Sequence, residues 1–166
     1  INHAEHVDVV GSVDSIPLQN ESVDSVVCTQ VFEHIKYPDK GASEIFRILK
    51  KGGYVLLTVP QTNELHEEPH DYFRYTKYGL NRIFTDAGFV NEVMEQRGGF
   101  ISTTAQMFIR FTTDTLNLYE RKIIGKIIGK ILYFIGMFSI YLDKKINSDS
   151  SNKHAIGWCC VYKKPL

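Results

Sequence analysis

The run Tyr54–Val59 (YVLLTV), closed by Pro60, limits what this chain can become more than any other stretch. Six residues with almost no polar interruption read as a strand buried on both faces. Such strands occur in parallel sheets covered by helices. Around it, short apolar runs alternate with helical periods. Val7–Val13 is an apolar stretch punctuated by Gly11, and Ser15–Ser22 (SIPLQNES) is a loop by its Pro, Asn and Ser content. Val23–Thr29 (VDSVVCT) is rich in β-branched residues and reads as a strand. Pro38 suits the first turn of a helix. In that helix Ala42, Ile45, Phe46 and Leu49 recur at the spacing of one buried face, and Gly52-Gly53 end it. Thr76 can cap a second helix with the same spacing at Leu80, Ile83, Phe84 and Ala87. Gly88 stops it, and Phe89–Gln96 is a further strand. The order strand, strand, helix, strand, helix, strand implies βαβ crossovers and a three-layer α/β sheet.

A different pattern follows. Ile101–Ile146 holds no Pro and reads as long helices. Ile123–Leu142 is apolar except for Lys126, Lys130 and Ser139. Twenty such residues are about long enough to cross a bilayer, but each lysine opposes insertion by roughly 2.5–3.5 kcal/mol at mid-helix. With Lys122 they recur every four residues as one stripe, a pattern that suits a helix lying in a membrane interface. Gly125 and Gly129 also permit close approach of another helix, so a lid or a homodimer face is the competing reading. Ser148–Lys153 is a polar linker. Ala155–Tyr162 is again strand-like, and Lys163-Lys164-Pro165 end it. Adjacent Cys159 and Cys160 on a strand face opposite sides and cannot ligate one metal together. The division expected is an α/β domain over 1–100, closed by a strand at 155–163, with a helical insertion or lid over 101–150.

Charge separates the same two regions. The 19 basic and 19 acidic residues cancel overall, which argues against a dedicated nucleic-acid binder. Residues 119–166, however, carry nine basic residues against three acids, and the excess of acid falls in 1–118. Three cysteines (Cys28, Cys159, Cys160) are too few and too badly spaced for a disulfide framework, and read as reduced thiols. The N-terminal INHAEHVDVVG has neither the basic start nor the apolar core of a signal peptide. The expected location is the cytoplasm, extended to the inner face of the membrane if the lysine-bearing helix lies there.

His66-Glu-Glu-Pro-His70 matches the zinc-protease pattern H-E-x-x-H. That pattern places both histidines on one face only in a helix. Pro69 inside it would cost about 3 kcal/mol or more, so no metal is assigned.

Taken in order, Gly11–Leu18 (GSVDSIPL), Val23–Ile35 (VDSVVCTQVFEHI), Glu44–Pro60 (EIFRILKKGGYVLLTVP) and Ala87-Gly88-Phe89 resemble class I S-adenosylmethionine-dependent methyltransferases of the large bacterial group called type 11. The resemblance implies a Rossmann-like, mostly parallel sheet lacking its first βα unit, with a helical insertion before the last strand. It also implies S-adenosylmethionine as cofactor and methyl transfer as reaction. By the family match, Ser12, Val13 and Asp14 lie beside the adenine with Ile16 packing nearby. Cys28, Thr29 and Gln30, at the carboxyl end of their strand, face the methionine part, and His34 follows on the same turn. The family builds its acceptor pocket beyond the next strand, which puts His70, His66 and Asp71 in the catalytic role and Tyr72, Arg74 and Tyr75 in substrate binding. Pro69–Thr76 further resembles a version in enzymes of surface-polysaccharide pathways, so the acceptor expected is a small molecule or a saccharide. The departures are Ser12 and Lys51, where the family usually has an acid and Pro. The glycine-rich first motif and the acid that holds the ribose are absent, and in the family both lie upstream of where Ile1 begins. The expectation is an N-terminally truncated chain that binds cofactor poorly. The alternative function is a membrane-peripheral or partner-binding helical module on a non-catalytic Rossmann-like remnant.

Overall fold

The computed structural model describes residues 7–166. Ile1–His6, which enter the signal-peptide reading, lie outside the described residues. The chain divides into two compact units, one of Ile1–Pro60, Leu65–Glu95 and Trp158–Leu166, the other of Gln61–Glu64 and Gln96–Gly157.

The first unit is a sheet with helices. Its strands are β1 (Val23–Thr29), β2 (Leu49–Pro60), β3 (Val90–Arg97) and β4 (Gly157–Lys163), in spatial order β1-β2-β4-β3. β1 and β2 pair in parallel, with Val26 opposite Val55 and Cys28 opposite Leu57. β4 runs the other way. Gly52 N–H bonds to the Lys164 carbonyl at one end of β2 (2.9 Å), and Gln61 N–H to the Ile156 carbonyl at the other (2.9 Å). β3 is antiparallel to β4 by the same reasoning, since Arg97 pairs with Ile156 and Met94 lies beside Cys160. Three strands therefore share a direction, and the one that returns from the helical segment is inserted between β2 and β3.

Helices α1 (Pro38–Ile48) and α2 (Lys77–Asp86) close one face. Pro38 opens α1, and the Thr76 hydroxyl accepts from Gly79 N–H (3.2 Å) to cap α2. Beneath them lies an aromatic core. Phe84 stacks on Tyr162 with ring centroids 4.6 Å apart, and Phe32 and Phe89 stand 5.1 and 5.6 Å from the same ring. Lys164 is buried, with its ammonium donating to the Phe46 (3.0 Å) and Leu49 (2.8 Å) carbonyls. That bond pins the end of β4 to the α1–β2 junction.

Several expectations need correction. Val7–Val13 forms no strand; its neighbourhood has only an isolated bridge between Ser12 and Ser15. Helix α1 stops at Ile48 rather than at Gly52-Gly53, because Leu49 is already extended. The glycines lie instead within β2. There Gly52 takes φ +77°, and a Cβ on Gly53 would approach the Asp24 and Lys50 carbonyl oxygens at 2.8 and 2.9 Å. Most consequentially, β2 is not buried on both faces. Val55, Leu57 and Val59 are buried, but Tyr54 and Leu56 are exposed, as is Val27 on β1. Among the described residues the first unit has two layers, not three, because α1 and α2 lie on the same side.

The second unit is a helical hairpin of α3 (Phe100–Thr115) and α4 (Ile124–Ile146). Asp143, near the end of α4, accepts from the N–H groups of Gly99 (2.9 Å), Ile101 (3.0 Å) and Ser102 (2.8 Å). It thus supplies the first turn of α3 with the acceptors that helix N-termini lack. The close approach expected at Gly125 and Gly129 occurs elsewhere. A Cβ on Gly136 would touch Ile109 of α3 at 3.4 Å, the Leu118 carbonyl crowds Gly125, and no described residue lies within 4 Å of a Cβ on Gly129.

Candidate active site

The site is built where β1 ends. Gln30 turns out of the strand at φ +53°, an uncommon conformation for a side chain-bearing residue. Its N–H bonds to the Thr58 carbonyl (2.9 Å) and its amide to the Thr58 hydroxyl (3.2 Å). This sharp turn sends Phe32–His34 into a single 3-10 turn. The segment after β2 is stitched onto that turn. Tyr72 and Phe73 N–H groups bond to the Glu33 carbonyl (2.9 and 3.2 Å), and the Tyr75 hydroxyl donates to the Phe32 carbonyl (2.9 Å). The Tyr75 carbonyl in turn accepts from the Trp158 indole (3.0 Å).

These bonds gather Glu33, His34, His66, His70, Asp71 and Arg74. The His34 and His66 rings meet edge to face at 4.8 Å. His34 Nδ1 donates to the His70 carbonyl (2.8 Å), which sets its tautomer and leaves Nε2 4.0 Å from the Glu33 carboxylate. Asp71 grips Arg74 with both oxygens (2.6 and 2.7 Å), accepts from His66 N–H (3.0 Å), and lies 3.4 Å from His66 Nδ1. The Arg74 hydrogen bond and charge hold the Asp71 carboxyl well below its usual range. Glu33 is wholly buried, and its two carboxylate oxygens have no hydrogen-bond partner on any other described residue. Burial pushes its pKa up, against the pull of its own backbone N–H and of His34, His66 and Arg74. A buried acid beside two imidazoles is equipped to take and pass a proton. The donor atoms of Glu33, His34 and His66 lie within 4.8 Å of one another. They would have to close up before all three reached one cation at about 2.0–2.2 Å. His66–His70 forms a turn, with His70 N–H on the Glu67 carbonyl (3.0 Å), so it lacks the helix that H-E-x-x-H requires.

A second group lies at Val9–Leu18. Val9, Gly11, Val13, Ile16 and Pro17 line a cavity of about 230 Å³. Gly11 is needed there, since a Cβ would run into the Pro17 ring. The Ser12 hydroxyl donates to Asp14, and Ser15 N–H to the Ser12 carbonyl (3.0 Å). The loop is clamped from α1. Glu44 accepts from Ile16 N–H (2.9 Å), while Arg47 reaches the Ile16, Leu18 and Asn20 oxygens at 2.7–2.8 Å and pairs with Glu44. The Arg47 hydrogen bond lowers the Glu44 pKa to about 2. The two groups adjoin through α1: a Cβ on Gly41 would stand 3.3 Å from Val13 and 3.4–3.5 Å from Ile35 and Phe32.

Measured against the sequence reading, the structure brings His34, His66, His70 and Asp71 together. It gives some residues other work. Tyr75 is buried with its hydroxyl on backbone. Arg74 is directed to Asp71 and to the Phe73 carbonyl (2.8 Å). His70 is exposed, its ring 3.1 Å from the Tyr72 hydroxyl. Cys28 is buried, and burial pushes its thiol up to about 11, so it stays protonated. Thr29 is exposed at the strand's end. Glu33, Glu44 and Arg47 were missed. The signal for Glu33 was its place in the Glu-His pair directly after a strand.

Comparison with known proteins agrees with this architecture. Residues 2–57 match the family model Methyltransf_11, described as a methyltransferase domain. No curated protein is similar in sequence at a significant level. Among solved structures, the [4+2]-cyclase SpnF aligns over 95% of this chain and 56% of its own, at 19% identity and TM-score 0.58. A putative methyltransferase from Bacillus halodurans aligns over 94% and 76%, at 17% identity and TM-score 0.54. A Haemonchus contortus phosphoethanolamine N-methyltransferase, seen with phosphomonomethylethanolamine and S-adenosylhomocysteine, aligns over 93% and 36%, at 19% identity and TM-score 0.52. The chain spans about half the length of the solved structures it matches. Residues 2–57 thus match a methyltransferase-domain family, and the sheet has the fold of these solved structures.

Proposed function

We propose that this chain carries out methyl transfer from S-adenosylmethionine to a small-molecule or saccharide-type acceptor. The observation that carries the reading is Glu33, a buried carboxyl without hydrogen-bond partners on the other described residues, set beside His34 and His66 at the carboxyl end of β1. Open α/β sheets bind their ligands at that end. The residues present fit the adenine part of the cofactor: the Val9–Pro17 cavity has apolar walls for a flat ring, and the Arg47–Glu44 clamp holds it open. When bound, S-adenosylmethionine supplies an electrophilic methyl group on a sulfonium.

The protein's share is positioning and proton transfer. An acceptor hydroxyl or amine loses its proton as the methyl group arrives, and His66 is the proposed base. Asp71, locked by Arg74, orients it as the third member of a catalytic triad orients its histidine. Glu33, whose proton affinity is raised by burial, stands behind the imidazoles and as a carboxylate can accept the proton that they pass on. His70 and Tyr72, exposed at the rim, are placed to touch the acceptor. The test measures transfer from methyl-labelled S-adenosylmethionine together with calorimetric binding of S-adenosylhomocysteine. His66→Ala should lower turnover by about 10²-fold with binding unchanged. Wild-type turnover in that variant removes His66 from the mechanism; cofactor binding by the parent chain is expected to be weak, and complete absence of transfer removes the reading.

A further inference from the structure

We infer that the α3–α4 hairpin is a docking surface for an anionic lipid bilayer, with α4 lying in the plane of the interface. The inference is independent of the methyl-transfer reading. Helix α4 has the length and hydropathy of a membrane span, yet only 17% of its most apolar window is buried, so it is no core helix. At about 100° per residue, Ile123, Ile127, Ile131, Phe134, Phe138 and Tyr141 share one side, and all are more than half exposed. On α3, Phe100, Met107, Phe108 and Phe111 likewise lie exposed on one face.

Charge selects the occupant. Lys122, Lys126, Lys130 and Lys144 are exposed and fall in one stripe beside the apolar side of α4. Between residues 119 and 142 the only acid is Glu120. A second copy packed there would bring basic stripes into a dry interface, whereas anionic headgroups neutralise them. Lysines at the border of an apolar face can extend to the headgroups while the ring and isoleucine side chains enter the acyl boundary. Spanning is disfavoured by Lys126 and Lys130, which shorten the apolar run. The uninterrupted stretch Ile131–Leu142 is roughly 18 Å at helical rise, short of a hydrocarbon core of about 30 Å. Asp143, at its end, is tied to the backbone of α3 and so keeps the hairpin paired.

The test is flotation of the chain with vesicles of phosphatidylcholine alone or with about 30% phosphatidylglycerol. The protein should float with the anionic vesicles at low salt, release at high salt, and ignore the neutral ones. Replacing Lys122, Lys126 and Lys130 together by Glu should weaken binding roughly a hundredfold. If that variant loses its helical circular dichroism, the Gln replacements serve, with a loss of about tenfold or more expected. Equal binding to neutral vesicles, or no binding to either, overturns the proposal. So does resistance to alkaline extraction, which would mean a span. A lipid-free dimer broken by Phe134→Ser and Phe138→Ser would show the face to be a self-interface, and would overturn it too.

Discussion

Two apolar patterns in this chain have nearly opposite fates. In the sheet unit the large hydrophobic side chains are spent on one another: Phe84 is fully buried between Phe32, Phe89 and Tyr162. In the helical hairpin they face outward, and Phe134, equally aromatic, is 59% exposed. Hydropathy alone does not separate them; periodicity and neighbours do. Alternation along β2 and the α1–α2 seam place one set against a common core. In α4 only Leu132 and Ser139 are buried, with Gly136 approaching Ile109 of α3, which leaves the rest uncovered.

The same substitution at both places gives the largest expected contrast. Phe84→Ala should destabilise the sheet unit by about 3–5 kcal/mol, as cavity formation in a packed aromatic core does. Phe134→Ala should change stability by no more than about 0.5 kcal/mol. Urea unfolding followed by fluorescence and circular dichroism measures both. Equal losses would mean that Phe134 is covered in solution and that the contrast is false.

The hairpin is held by polar contacts, and Asp143 is their centre. Burial raises its pKa, but the hydrogen bonds from Ser102, Ile101 and Gly99 outweigh this and the carboxyl ends below its ordinary value. A lowered folded pKa means stability present above the unfolded value near 4 and lost as pH falls through the folded one. Asp143→Ala should cost about 2 kcal/mol at pH 7, with the difference from the parent shrinking below about pH 4. Hydrogen exchange at Ile101 and Ser102 reports it directly; unchanged protection would put the cap elsewhere.

Glu33 titrates in the opposite sense. Its folded pKa is raised by burial, so the folded state holds the proton more firmly and stability falls as pH rises above the unfolded value near 4. Glu33→Gln should therefore gain about 1 kcal/mol at pH 8 and little at pH 4, while turnover drops. A variant more stable but slower would mark Glu33 as a strained functional group. One with no pH dependence in its gain would show that the carboxylate is solvated.

Much of this was legible beforehand because it depended on local chemistry. Pro38, Thr76 and Gly88 mark helix boundaries through their own backbone and hydroxyl properties, and each marks one here. The resemblance set His66, His70 and Asp71 together beyond β2, but it put His34 with the cofactor; that His34 packs on His66 was not legible. What stayed hidden depended on distant partners. Whether YVLLTV is covered on one face or two is decided by where α1 and α2 pack, not by its own six residues. Arg74 reads as a free cation until Asp71 is seen to hold it. Nothing local in the sequence marks Glu33 as buried; the Tyr72 and Phe73 backbone that bonds to its carbonyl comes from a distant segment.

The smallest expected effect tests the clamp on the Val9–Leu18 loop. Arg47 uses a planar fork: Nε and Nη2 take both Glu44 oxygens, and the remaining donors reach three oxygens of the loop. Lysine keeps the charge but offers a single point donor. The pair is partly exposed, so the loss for Arg47→Lys in global stability should be small. The loop should feel it more. With fewer bonds to the Ile16 and Leu18 carbonyls, the cavity loses its fixed outline, and affinity for S-adenosylhomocysteine should fall about tenfold with little change in turnover at saturation. In the parent chain the same clamp should release in acid, since Glu44 gains its proton only near pH 2 when paired and near 4.5 when free. If binding survives Arg47→Lys intact, the loop is ordered by its own Ser12–Ser15 turn, and α1 contributes only its apolar face.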